Sequence, residues 1–163
     1  MGGAVQSTQE ASGSLGIAVD GAHVYPWLSA FAPLATDVLS QAPWPCTVAH
    51  ASRLLNWLSR VFPQRPLLAI THRPLSEDDG VPVRGISALG SGVALASSWR
   101  LGDEAFLGVA RHEVAHALGL GHCGRWHCAL SERPHPMSLA DRPNDLCPAC
   151  MDLWDGLCRG LAP

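Results

Sequence analysis

The stretch His112 to Cys123, HEVAHALGLGHC, constrains this chain of 163 residues more than any other. It closes a segment with apolar residues at helical spacing: Phe106, Val109, Ala110, Val114, Ala117 and Leu118. Asp103 is the expected N-cap, and Glu104 falls in the first turn, where an acid suits the helix dipole. On a helix, His112 and His116 share one face about 6 Å apart along the axis, at a rise of roughly 1.5 Å per residue. Two imidazoles so placed can grip one metal from the same side. Glu113 lies about 100° round the helix, where it can flank the metal without ligating it. Gly119, three residues after His116, enters the left-handed conformation cheaply and is expected to end the helix. A reversal there swings the chain back so that His122 reaches the same ion. Three neutral imidazoles leave a tetrahedral zinc ion one open position, the arrangement of catalytic rather than structural sites.

A second metal pattern begins where the first ends. Cys123 and Cys128 form one close pair, and Cys147 and Cys150 form a CxxC. Two such pairs joined by a longer connection suit a closed tetrahedral thiolate site for a structural zinc ion. His127 or His135 could replace one thiolate. The segment holding the cysteines has too few apolar residues to fix itself, so the ion is expected to pin it. Because the pattern starts directly after His122, it is also expected to brace that ligand. Cys46 and Cys158 read as small core residues.

Composition narrows the remaining choices. Hydrophobic residues make up 47% of the chain, enough for one domain with a real core. A net charge of −3 and the lack of a basic cluster argue against a nucleic-acid partner. The opening MGGAVQSTQEASG lacks the basic and apolar regions of a signal peptide and reads as a disordered tail over residues 1–13. Without an export signal, cysteines in this pattern point to metal binding rather than disulfides. The longest uncharged run, Gly85 to Trp99, is too short and too rich in small residues to span a bilayer. A cytoplasmic monomer without membrane or nucleic-acid partners is the expectation.

Upstream of the histidines, Leu15 to Asp20 reads as a strand, and Tyr25 to Gln41 has helical spacing at Trp27, Phe31, Leu34 and Val38, broken by Pro33. Cys46 to Ala49 is a second short strand. Ser52 to Phe62 predicts a helix with Leu54, Leu55, Leu58, Val61 and Phe62 on its buried side. Pro66 to Thr71 is continuous and apolar, as in a strand covered on both faces. Val83 to Leu89 and Val93 to Ser98 flank Gly90-Ser91-Gly92 as a hairpin. An exposed strand of that hairpin could pair with an extended peptide, with Gly85, Gly90 and Gly92 allowing close approach or serving only turns. After His122 come short loops and a closing helix, with Met151, Trp154, Leu157, Cys158 and Leu161 as its packed face. This order implies an α+β fold: a mixed sheet with helices packed on it. Residues 14–122 would form an upper subdomain ending in the zinc helix, and residues 123–163 a lower one with the cysteine site.

The run H-E-x-x-H-x-x-G-x-x-H followed at once by Cys123 resembles the archaemetzincins, a branch of the metzincin zinc peptidases. Cys123, Cys128, Cys147 and Cys150 match that family's four cysteines. The resemblance implies a zincin fold with a twisted mixed sheet above a cleft and a small zinc-stapled irregular lobe below. It implies that His112, His116 and His122 hold a catalytic Zn2+, that the four cysteines hold a second, and that Glu113 is the general base. The chain departs from the family in having Leu130 where a methionine stands two residues after the second cysteine. It also has one residue fewer between the second and third cysteines. Either Met137 takes over the turn beneath the metal or Leu130 serves as its apolar floor. The expected function is hydrolysis of peptide bonds. Its rivals are a zinc amidohydrolase acting on small acylated compounds and a silent peptide-binding protein; an intact Glu113 argues against the latter.

Overall fold

The computed structural model describes residues 16–19, 34–36, 49–62, 66–132 and 145–161. The N-terminal tail, Cys46, His135 and Met137 lie outside them. Two runs of buried residues make the centre of the molecule: β4 (Leu67–Thr71) and β8 (Val93–Ser97), which pair in parallel and are buried at every position. Alternation then assigns each face. Leu67, Ala69, Val93 and Leu95 point to one side, where Ala51, Leu54, Leu55 and Leu58 of α1 (Ala51–Val61) meet them. Leu68, Ile70, Ala94 and Ala96 point to the other side and pack on Phe106, Ala110, Val114 and Ala117 of α2 (Asp103–Ala117). The small side chains of Ala94 and Ala96 on the strand, and of Ala110 and Ala117 on the helix, let α2 pack on the sheet. The apolar runs that read as doubly covered strands are therefore sandwiched between helices.

Around this pair the sheet extends as β2-β1-β4-β8-β7. β1 (Gly16–Val19) runs parallel to both β4 and β2 (Leu34–Thr36). β7 (Gly85–Ser87) is antiparallel to β8 and forms the sheet's edge. A smaller sheet joins β3 (Ala49–His50), β5 (Leu75–Ser76) and β6 (Pro82–Val83). α3 (Pro148–Leu161) closes the chain. The mixed sheet and the helices on it make the α+β class.

Several local expectations are corrected. Leu34–Thr36 is a strand, not part of a helix, and it begins directly after Pro33, which cannot sit comfortably inside a helix; the rest of that predicted helix lies outside the described residues. Of the expected strand Cys46 to Ala49, Ala49 is described and begins β3 with His50, and residues 46–48 lie outside the described residues. Val61 at the end of α1 is half exposed. The hairpin's first arm is split at Arg84, with Val83 pairing into the small sheet and Gly85–Ser87 into the large one. Asp103 is the first residue of α2 rather than its cap; Gly102 holds the cap position and gives no side-chain bond. On α3, Trp154 packs into the core, but Met151, Leu153, Leu157 and Cys158 are exposed. That helix contributes one aromatic anchor, not an apolar face.

Candidate metal centre

α2 delivers His112 and His116 one turn apart, and the way it ends decides whether His122 can join them. Gly119 has a φ of 104°, a conformation that only glycine adopts readily. The Gly119 amide donates to the His116 carbonyl and the Leu120 amide to the Ala115 carbonyl, both at 2.9 Å. This is the paired pattern of a Schellman termination, and it turns the chain back on itself. The hairpin loop secures the same helix end. Gly90 and Gly92, at φ 69° and 70°, donate their amides to the carbonyls of His116 and Ala117 at 2.9 Å. These two glycines therefore hold the histidine helix; their backbone amides are not turned to a peptide.

The reversal brings the three imidazoles together, with one nitrogen of each within 4.8 Å of the others. His112 and His116 are half-buried and His122 is exposed. His112 Nδ1 lies 2.8 Å from the Ala129 carbonyl, and His116 Nδ1 lies 2.7 Å from the Leu120 carbonyl. A carbonyl can only accept, so each Nδ1 carries the proton and each Nε2 of the neutral ring presents a lone pair. Those two Nε2 atoms face each other at 3.1 Å. Two lone pairs so close repel unless a cation sits between them. Nitrogens roughly 2.0–2.1 Å from one tetrahedral ion stand about 3.3 Å apart, so the pair fits a metal. Burial pushes the His116 imidazole below its ordinary range; the Leu120 carbonyl opposes this and the charge of His122 adds to it. His116 is thus biased towards the neutral form that binds metal.

Glu113 lies outside this trio, buried between α2 and the edge strand. Ser87 Oγ donates to its Oε2 at 2.7 Å. Burial raises the carboxyl from its ordinary value to about 7, and the Ser87 hydrogen bond works against that rise. A buried carboxylate with one donor and a pKa near neutrality can take up and release a proton at physiological pH.

The four cysteines Cys123, Cys128, Cys147 and Cys150 converge in the same way, their sulfurs all within 4.8 Å of one another. Cys123 Sγ and Cys147 Sγ are 3.9 Å apart, far beyond a disulfide at about 2.05 Å and near the roughly 3.8 Å of sulfurs around one tetrahedral zinc ion. Of the histidine alternatives, His127 is exposed on the loop and takes no place in this cluster, and His135 lies outside the described residues. Amides supply outer support, Arg125 to Cys123 Sγ at 3.5 Å and Cys147 to Cys128 Sγ at 3.4 Å. Cys147 directly precedes α3, whose first residue is Pro148, and the Cys150 amide holds its thiol down at about 6. Burial and the neighbouring thiols push Cys150 up. Four crowded sulfurs cannot all ionise without a cation to share.

The sulfur cluster reaches the imidazoles twice. His122 and Cys123 are consecutive, and the carbonyl that orients His112 belongs to Ala129, next to Cys128. Leu130 is fully buried beside them, with Ala115, Leu120 and Leu146 as neighbours. Met137, the alternative for the turn beneath the metal, lies outside the described residues. Sequence reasoning missed three groups here. Ser87 could have been found from the alternation Gly85-Ile86-Ser87, which puts residues 85 and 87 on one strand face. The Ala129 and Leu120 carbonyls are backbone atoms that leave no mark in a sequence.

No family model matches the chain, and no curated protein matches it. Solved structures do. An archaemetzincin from Methanopyrus kandleri aligns with a TM-score of 0.68 at 19% identity, over 94% of this chain and 99% of its own. An archaemetzincin from Archaeoglobus fulgidus, complexed with malonate, aligns with a TM-score of 0.63 at 22% identity, over 83% of this chain and 98% of its own. Helices on a mixed sheet, with a histidine trio at a glycine-ended helix and four clustered cysteines beyond it, are thus laid out on the archaemetzincin fold.

Proposed function

We propose that the protein is a zinc-dependent peptidase, with His112, His116 and His122 holding a catalytic zinc ion and the four cysteines a structural one. The observation that carries this reading is the facing pair of unprotonated Nε2 atoms, 3.1 Å apart and each fixed by a carbonyl behind it. The aligned proteins are archaemetzincins, which adds weight. Held by this trio, a zinc ion would supply Lewis acidity and a more acidic water, with a pKa towards about 7. Glu113 would accept a proton from the attacking water and return it to the leaving amine. Its carboxyl near 7 suits both halves of that exchange. The outer edge of β7, unpaired among the described residues, pairs with an extended peptide running antiparallel to it, next to the strand residue that holds Glu113.

Metal analysis and turnover test the reading together. Wild-type protein is expected to carry two zinc ions and His116→Ala one. Glu113→Gln should keep both ions and lose about 10²–10⁴ in kcat on a quenched fluorescent peptide library. A Glu113→Gln variant as active as wild type would end the assignment. Cleavage of small acylated amides but no peptide would move the protein to the amidohydrolase class.

A further inference from the structure

Glutamate is a poor base unless something fixes it, because three side-chain torsions let its carboxylate wander. Here the edge strand supplies the fixing. Residues 85 and 87 project from the same face of β7, towards α2. At the first there is no side chain at all. A Cβ on Gly85 would stand 2.6 Å from Glu113 Cγ, 2.9 Å from its Oε1 and 2.9 Å from the Leu95 carbonyl. The glutamate stem therefore fills the space that any other residue at position 85 would need. At the second, the Ser87 hydroxyl takes Oε2 at 2.7 Å. Among the described residues Oε1 accepts no hydrogen bond, so the grip leaves one oxygen for a proton.

We infer that Ser87 is a positioning residue for the Glu113 carboxylate, seated beside the notch at Gly85. The inference rests on the reading of Glu113 as general base. It explains why the seat is built on β7 rather than on the helix. The strand that would align the peptide also sets the base, so the two share one rigid frame. A displacement of about 1 Å in such a frame costs roughly 10²-fold in rate. The glycine expected to make room for a peptide makes room for the base instead.

The test compares Ser87→Ala with Ser87→Thr in zinc-loaded protein, with Glu113→Gln as reference. kcat and KM are read on the same quenched fluorescent peptide library. The ¹³C signal of the Glu113 carboxylate, assigned by its loss in Glu113→Gln, gives a readout independent of turnover. Ser87→Ala should lower kcat about 10- to 100-fold with KM, zinc content and melting temperature unchanged, and should move the carboxylate signal. Ser87→Thr, which keeps the hydroxyl, should restore both. A Ser87→Ala variant with wild-type kcat and an unmoved signal overturns the inference. So does an equal loss in both variants with a lowered melting temperature, which would make the position structural. If Glu113→Gln stays active, the base assignment falls. The carboxylate signal still decides whether Ser87 holds that side chain.

Discussion

The histidine trio and the cysteine cluster are built by opposite means. The histidines come from one helix and its end, within eleven residues, so periodicity and a single glycine assemble them. The cysteines come from two short segments with residues 129–146 between them, and hydrogen bonds across loops hold the arrangement. The Cys123 amide donates to the Leu130 carbonyl at 2.7 Å, and the Ala129 amide to the Asp145 carbonyl at 2.9 Å. One site would exist as a sketch on an isolated helix; the other exists only when the loops are folded. The looser region nevertheless supplies the carbonyl that orients His112. The difference teaches that the reactive centre depends on a neighbour less regular than itself.

The strongest way to break that comparison is to remove one sulfur. Structural zinc sites contribute on the order of 10 kcal/mol to folding in small domains, comparable with the whole stability of a protein. Cys147→Ser should therefore loosen residues 123–132 and 145–150 and lower the melting temperature by roughly 10–20 °C. With Ala129 displaced, zinc affinity at the histidines should fall roughly 10- to 100-fold, as when an outer partner of a ligand is lost. Competition with a chelator of known affinity measures it. An unchanged affinity would show that the two sites stand alone.

Leu130→Ala probes the same junction by packing instead of coordination. Leu130 is fully buried between the sulfurs and α2. Its truncation should cost about 4 kcal/mol, within the range for buried leucines, read by urea unfolding of zinc-loaded protein. Both ions should stay bound, because the residue packs and does not ligate. Loss of the histidine-bound ion would instead make Leu130 part of the metal's support.

What the sequence disclosed follows the same division. HEVAHALGLGH was legible because helix spacing and one glycine depend only on near neighbours. The strands Leu67–Thr71 and Val93–Ser97 were legible because burial on both faces leaves an unbroken apolar run. α3 was misread in part because its exposed Met151, Leu157 and Cys158 mimic a packed stripe, and nothing local says which neighbours are present. The strand at Leu34–Thr36 was missed because three residues beside a proline carry too little pattern to outvote helical spacing. The partners of Glu113 and His112 were missed for a third reason. Ser87 is 26 residues away from Glu113 and the Ala129 carbonyl 17 from His112, so only tertiary structure joins them.

Acid and base sharpen the contrast from the histidine side. In protein stripped at the histidines by a mild chelator, burial holds the Glu113 carboxyl at about 7 against an ordinary 4.5. A folded-state pKa above the unfolded one means that the folded protein keeps the proton longer. Stability should then be greatest below about pH 4.5 as far as this group is concerned. It should fall as the pH rises through 7, by about 3 kcal/mol in all. Glu113→Gln should remove that slope, and reloading zinc should flatten it, since a nearby cation favours the carboxylate. A slope that survives in Glu113→Gln would place its origin elsewhere.

The smallest effect is expected at the ion pair that ties the two regions on the surface. Arg111, next to the first histidine, donates from Nη1 to Asp145 Oδ1 at 2.7 Å, but the Asp145 side chain is 87% exposed. An exposed pair gains little over its hydration, and salt screens it. Arg111→Ala should therefore cost less than about 1 kcal/mol and leave zinc affinity at the histidines unchanged. The backbone of Asp145 is a different matter. Its carbonyl receives the Ala129 amide, and Ala129 in turn orients His112. If Arg111→Ala matched Cys147→Ser in its effect on the histidine metal, the coupling would run through surface charge. If it does not, the coupling runs through the backbone hydrogen bonds, which no side-chain substitution at Asp145 can remove.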